Sequence, residues 1–301
     1  MKYRFYFFFV FFSFLLLFYP GDSFYYHIFA YNRAVFAQKE ESSGINIPPV
    51  PYVRTSTPPA ISAEGVLILD LPTFTPLYEK NIHTRFFPAS TTKVITALVA
   101  VDIYKPDDVI QIKKIMPEGQ VMGLVQNERI TVENLLHGLL IHSGNDAAYA
   151  FADNYGFDAF IDLMNKKAKT LGMKDSHFTN PAGLDNPLQY STPTDLALAS
   201  RELLRHPFLG KIVSIKDITV SDIDFTIFHH LSNVNKLLGE IQGIGGLKTG
   251  YTEQAGENLV SFYKKGGHQF LIVILKSLDR FEDTKAVVNW IGEEVDYATL
   301  E

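Results

Sequence analysis

The sequence predicts an α/β protein of the α+β type, in which one antiparallel sheet is assembled from strands at both ends of the chain and faced by helices. Three observations predict it. Residues 65–71 form an apolar run that turns at 72–76 into a short partner at 77–80. Residues 256–264 and 269–277 alternate or run apolar around Lys265-Gly266-Gly267-His268, the signal of a hairpin. Between these ends the apolar residues recur at helical spacing, so the middle of the chain forms an all-helical subregion.

Taken in order, the chain opens with Lys2 and Arg4 and is then apolar over 5–19 apart from Ser13, until Pro20-Gly21-Asp22 breaks the run. The run is short for a membrane-spanning helix and fits the core of an export signal. Val35-Phe36-Ala37 has the small-residue pattern of a cleavage site but lies far from that core. Residues 1–37 are therefore expected to be a signal peptide or a retained membrane anchor, which places the protein outside the cytoplasm. Cleavage after Ala37 would remove Lys2, Arg4 and Arg33 with Asp22, a net +2, and leave −6 − 2 = −8. Residues 38–60 are rich in Pro, Ser and charge, with Pro48-Pro49 and Pro58-Pro59, and read as a disordered linker. One domain is expected over 61–301.

Within it, a helix opens at Ser90 and ends near Tyr104, before Pro106. Short strands are expected at 109–113 and 128–130. Thr131 is placed to cap a helix reaching Ile141. A Ser143-Gly144-Asn145 loop leads into a helix over 146–154. Residues 157–171 carry Phe157, Phe160, Ile161, Met164 and Leu171 at amphipathic spacing. Asn180-Pro181-Ala182-Gly183 is a turn. Thr192-Pro193 reads as a cap with proline at the first helical position, opening a helix to His206. A closing helix over 280–295 turns Val287, Val288, Trp290 and Ile291 inward.

Composition narrows the chemistry. At 301 residues, with 47% hydrophobic and 20% charged residues, the chain can bury a sizeable core. It contains no cysteine, which excludes disulfides, thiolate metal sites and cysteine nucleophiles. A net charge of −6 argues against nucleic-acid binding. His137 with His142, and His229-His230, lack a third ligand, so no metal is expected. Residues 243–249 are glycine-rich, but Leu247 separates the last glycine from Lys248, so they are not read as a phosphate loop. Asp153, Asp158 and Asp162 fall on helix faces and are read as solvated.

Three motifs carry chemistry, in order: Ser90-Thr91-Thr92-Lys93, Ser143-Gly144-Asn145 and Lys248-Thr249-Gly250. Residues three apart on a helix share a face, so the Ser90 hydroxyl and the Lys93 amine can meet. Free N–H groups of the first helical turn lie beside them. The set, and the span from about 65 to 291, resembles the low-molecular-weight penicillin-binding proteins that are D-alanyl-D-alanine carboxypeptidases. Asn180-Pro181-Ala182-Gly183-Leu184-Asp185 with Tyr190-Ser191-Thr192, and Gly246-Leu247-Lys248-Thr249-Gly250-Tyr251-Thr252, are similar to further motifs of that family. The departures are Ser-Gly-Asn in place of Ser-Asp-Asn, Gly245 where many relatives are acidic, and no C-terminal β-domain or amphipathic anchor.

The resemblance implies a β-lactamase/transpeptidase-like fold and a serine peptidase of cell-wall biogenesis that acts on D-Ala-D-Ala stem peptides without a cofactor and is acylated by β-lactams. Ser90 would be the nucleophile and a neutral Lys93 its base, its pKa lowered by burial and by Lys248. Ser143 and Asn145 would hold Lys93 and relay a proton. Lys248, Thr249 and Gly250 form the substrate-binding strand motif, with Lys248 and Thr249 on the substrate carboxylate. The N–H groups of Ser90 and Tyr251 would hold the oxyanion. A class A β-lactamase shares the motifs, but its Glu-x-x-Leu-Asn loop is absent, and Glu133 lies on the wrong side of Ser143. The non-enzyme alternative is an exported penicillin- or peptidoglycan-sensing domain.

Overall fold

The computed structural model describes residues 2–18, 49–55 and 57–298. They fall into two units, 1–48 and 49–301. In the first, α1 (Lys2–Phe18) has 17 residues, and no helix among the described residues is long and apolar enough to cross a membrane. The cleavage site expected at Ala37 and residues 38–48 of the expected linker lie outside the described residues.

The second unit is built on five antiparallel strands in the order β3 (Thr75–Lys80), β2 (Gly65–Asp70), β10 (His268–Ser277), β9 (Gly256–Lys265) and β8 (Ile244–Thr252). N-terminal β2 pairs directly with C-terminal β10, Val66 opposite Ile274 and Ile68 opposite Ile272. The sheet is thus closed from both chain ends, as the sequence predicts. Strands β2 and β10 are covered on both faces, which is why they read as unbroken apolar runs rather than as alternation. Their period of two still divides the core. Val66, Ile68, Phe270, Ile272 and Ile274 pack with Val287, Trp290 and Ile291 of α8 (Arg280–Glu294). Leu67, Leu69, Leu271, Val273 and Leu275 face the larger helical layer.

That layer comprises α2 (Lys93–Ile103), α3 (Val132–Leu140), α4 (Asn145–Tyr155), α5 (Phe157–Thr170), α6 (Pro193–Arg205) and the short α7 (Pro207–Ile212). The expected caps are in place. Thr131 Oγ1 accepts the Asn134 N–H at 3.3 Å, and Thr192 Oγ1 accepts that of Asp195 at 3.1 Å ahead of Pro193. Two small ribbons lie beside this layer: β4 (Val109–Gln111) with β5 (Arg129–Thr131), and β6 (Asp217–Ser221) with β7 (Phe228–Ser232). The β6–β7 ribbon and α7 are not anticipated by the sequence.

One expectation needs correction. Residues 38–60 read as a disordered linker, yet β1 (Val50–Val53) pairs with β11 (Val295–Ala298), directly after the closing helix. The contacts that hold this ribbon are remote in sequence. Tyr297 Oη donates to Asp70 Oδ1 at 2.6 Å, its ring stacks on His268 at 3.4 Å, and Trp290 Nε1 donates to the Thr57 carbonyl at 2.8 Å. Local composition carries no trace of such partners.

Candidate active site

Ser90 does not open a helix; it sits in a 3₁₀ turn, Ala89–Thr92, that feeds α2. The turn enters through Ala89 in the left-handed region, φ 47°. Two glycines make room for it. At Gly183, φ 89°, a Cβ would overlap the Ala89 carbonyl. At Gly250 of β8, a Cβ would lie 3.1 Å from both the Ser90 nitrogen and the Pro88 carbonyl. The Ser90 backbone is therefore gripped between the 180–183 turn and the edge strand, where only glycine fits without displacement.

Lys93 is the first residue of α2 and is fully buried. Its Nζ lies 2.8 Å from Ser90 Oγ, 2.7 Å from Asn145 Oδ1 and 2.8 Å from the Ala182 carbonyl. All three are neutral oxygens. Burial, and next the Lys248 ammonium, push the Lys93 pKa well below its ordinary value, against a weaker opposing pull from Asp146.

Asn145 opens α4, and segment 118–124 fixes it. Its N–H donates to the Gln120 carbonyl at 2.7 Å, and its Nδ2 to the Glu118 carbonyl at 2.8 Å. Asp146 secures the same segment, its carboxylate accepting the N–H groups of Met122, Gly123 and Leu124. Ser143 departs from expectation. It sits at φ 62°, and its Oγ accepts from Lys248 Nζ at 2.8 Å. The left-handed bend at Ser143 splits the motif: Asn145 serves Lys93 and Ser143 serves Lys248.

Lys248, on β8, is also buried, and its Nζ reaches the Thr249 carbonyl at 3.0 Å. Burial, followed by the charge of Arg280, lowers its pKa to about 7. Thr249 is buried, and Tyr251 follows Gly250 with its ring exposed. Thr252 Oγ1 donates to Asp185 Oδ1 at 2.7 Å, tying β8 to the loop after Gly183. Seven of the eight site residues expected from sequence therefore lie in one hydrogen-bonded or packed constellation, and Tyr251 adjoins it along the strand.

Two participants are invisible in the motifs. One is the Ala182 carbonyl, an acceptor for Lys93 beside Asn145 Oδ1. The other is Arg280, whose Nη1 donates to the Gly250 carbonyl at 2.8 Å. A signal for Arg280 did exist: an arginine at the first position of a helix opposes the helix dipole. Glu257 compensates locally, accepting the Arg280 N–H at 2.9 Å.

Of the histidines considered as metal ligands, His229 is buried against Glu128, with Nε2 2.7 Å from Oε1. No group of three or more His, Cys, Asp or Glu among the described residues could hold a metal.

A family profile described as D-alanyl-D-alanine carboxypeptidase matches residues 52–278. The chain is 32% identical over 225 residues to the D-alanyl-D-alanine carboxypeptidase DacF of Bacillus subtilis, covering 71% of this chain and 57% of that protein. It is 32% identical over 269 residues to DacD of Escherichia coli, covering 83% and 67%. The chain thus spans only 57% to 67% of these two curated relatives. The crystal structure of the DD-transpeptidase of Streptomyces K15 matches with a TM-score of 0.74 at 31% identity, covering 78% of this chain and 98% of that one. Every site residue above lies inside the profile match except Arg280, two positions beyond its end.

Proposed function

Because the chain belongs to the D-alanyl-D-alanine carboxypeptidase family, we propose that it is a serine-type D-alanyl-D-alanine carboxypeptidase that cleaves peptidoglycan stem peptides through an acyl-enzyme on Ser90. The observation that carries this reading is the setting of Lys93. A neutral amine has two N–H bonds to donate, and Asn145 Oδ1 and the Ala182 carbonyl accept both. Its lone pair is then left facing the Ser90 hydroxyl 2.8 Å away, the requirement for a general base.

In the proposed reaction, Ser90 Oγ bonds to the penultimate D-alanine carbonyl carbon while its proton passes to Lys93. The oxyanion is held by the N–H groups of Ser90 and Tyr251. Ser143 accepts a hydrogen bond from Lys248, and as the C–N bond breaks its own hydroxyl proton goes to the leaving amine and is replaced by the proton that Lys93 took from Ser90, which returns Lys93 to its neutral form. Water then attacks the acyl ester and gives a proton to neutral Lys93, which passes it to Ser90 Oγ as the ester C–O bond breaks, so Ser90 leaves as its alcohol and Lys93 is again neutral. Lys248, in its charged form, and Thr249 take the substrate's terminal carboxylate, with the Arg280 cation beside them. β-Lactams would acylate Ser90 by the same attack. Work outside the cytoplasm, reached through residues 1–37, with attachment to the membrane if that segment is retained, is part of the proposal.

The test is incubation of the full chain with a peptide ending in D-Ala-D-Ala. Release of D-alanine over many turnovers, abolished by Ser90→Ala, is the expected result. Stable binding without release would support a sensor, and rapid nitrocefin hydrolysis would support a β-lactamase.

A further inference from the structure

At the end of β8 remote from Ser90, the α6–α7 corner and the β2–β3 turn frame an open cavity of about 500 Å³. Gly245 lines it, whereas Gly250 touches the Ser90 turn. At about 3.3 Å per residue those two positions lie roughly 16 Å apart along the strand, so the cavity is separate from the catalytic cleft. Its walls include Leu71, Leu204 and Phe262, and its charged groups are Arg201, Arg205 and Lys211. No carboxylate lines it, in a chain whose formal charge is −6.

Arg205 and Lys211 lie in the last turns of α6 and α7, where the helix dipole favours cations, and for those two alone that would suffice. Arg201 is different. It lies mid-helix, half-buried, with its guanidinium 3.9 Å from the centre of the Phe74 ring, which fixes its orientation. It is four residues from Arg205, a like-charge spacing that destabilises a helix. Burial, and then the charge of Arg205, lower its pKa against a weaker opposing pull from Glu202. The ion pairs among the described residues engage other cations. Two arginines and a lysine thus line one concave site with no carboxylate in its wall, Glu202 acting on Arg201 only from outside it.

We propose that this cavity binds a phosphate-bearing anion, its oxygens held by Arg201, Arg205 and Lys211 and its carbon portion lying against Leu71, Leu204 and Phe262. Planar arginine forks match phosphate oxygens two at a time, so three cations suit the several oxygens of a phosphate better than a single carboxylate. The phosphate could belong to a soluble phosphate ester or to the headgroup of an anionic phospholipid.

The experiment titrates the full chain with glycerol 1-phosphate by calorimetry. In parallel it is sedimented with phosphatidylglycerol/phosphatidylcholine vesicles and with phosphatidylcholine vesicles alone. Arg201→Gln and Lys211→Gln are compared with wild type, and all variants carry the same N-terminus, so differences report the cavity. Each substitution removes a charge-assisted hydrogen bond and is expected to weaken binding at least about tenfold, with labelling by a fluorescent penicillin unchanged. Should Arg201→Gln fail to fold, Arg205→Gln, at an exposed position, takes its place. Glycerol 1-phosphate binding without a vesicle effect assigns a soluble ester. Phosphatidylglycerol-dependent sedimentation that the variants lose assigns a headgroup. Absence of saturable binding to either probe, or binding indifferent to the substitutions, overturns the proposal.

Discussion

Lys93 and Lys248 are both buried lysines without a carboxylate among their hydrogen-bond partners, and the roles proposed for them require opposite protonation states. Lys93 must be neutral to take the Ser90 proton; Lys248 must be charged to attract a carboxylate. With its pKa lowered to about 7, Lys248 loses its proton in the free enzyme as pH rises through neutrality. The pH profile of kcat/KM is therefore expected to climb with the deprotonation of Lys93 and to fall at about 7. Lys248→Arg, whose guanidinium does not titrate in this range, should lower kcat/KM by about tenfold or more and remove the descending limb. A descending limb that persists in Lys248→Arg would assign it to another group. At this scale much of the site was legible, because Ser90 with Lys93, Ser143 with Asn145, and Lys248 with Thr249 are each joined by short spacings. The pairing of Ser143 with Lys248 was not legible, since it depends on one left-handed bend. Nor was the Ala182 carbonyl, because a backbone oxygen leaves no mark on residue identity.

Among the elements, segment 118–124 decides how well Asn145 can hold Lys93. It is anchored from α4 by Asp146 and from β7 by His229, whose Nδ1 lies 3.2 Å from the Met122 carbonyl while Nε2 meets Glu128. Burial alone would lower the His229 pKa, but the hydrogen bond and charge of Glu128, with help from Met122, outweigh it and raise the value. A raised pKa in the folded state means that the stabilisation is fully present below the unfolded value of about 6.5 and is lost as pH rises through the higher folded value. His229→Gln is expected to lower stability by about 3 kcal/mol at mildly acidic pH, because Glu128 is left buried without a cation. Thermal unfolding across a pH series should show the gap from wild type narrowing as pH rises; a pH-independent gap would exclude the ion pair as its source. Elements with local stop and start signals, such as Thr131 before α3 and Thr192-Pro193 before α6, were legible in advance. The β6–β7 ribbon was not. Asp222 closes its turn by accepting the N–H groups of Thr226 and Ile227, and its strands lack a continuous apolar run.

For the second unit as a whole, the sheet joins the chain ends through β2 and β10, so the turn bearing Ser90 and strand β8 are positioned by one continuous scaffold. The β1–β11 ribbon lies at the margin of that scaffold and is fastened by Tyr297, whose phenol pKa is raised by burial and by its bond to Asp70. Tyr297→Phe removes the hydrogen bond but keeps the stacking on His268. A loss of about 1 kcal/mol is expected, seen as a fall in Tm of about 2–4 °C, with the rate of penicillin acylation unchanged. A matching fall in acylation would mean that the ribbon supports the site as well as the fold. The paired apolar runs made the sheet legible, whereas β1, set among prolines, takes its order from Tyr297 and Trp290 far along the chain.

The central claim is that a neutral Lys93 activates Ser90, and pH-resolved mass spectrometry of penicillin acylation tests it most directly. Wild-type protein is expected to gain one adduct, mapped to Ser90, at a rate that rises with pH through a pKa well below the ordinary lysine value. Folded Lys93→Ala should remain unlabelled. Acylation of Ser90 at near wild-type rate in folded Lys93→Ala would contradict the claim.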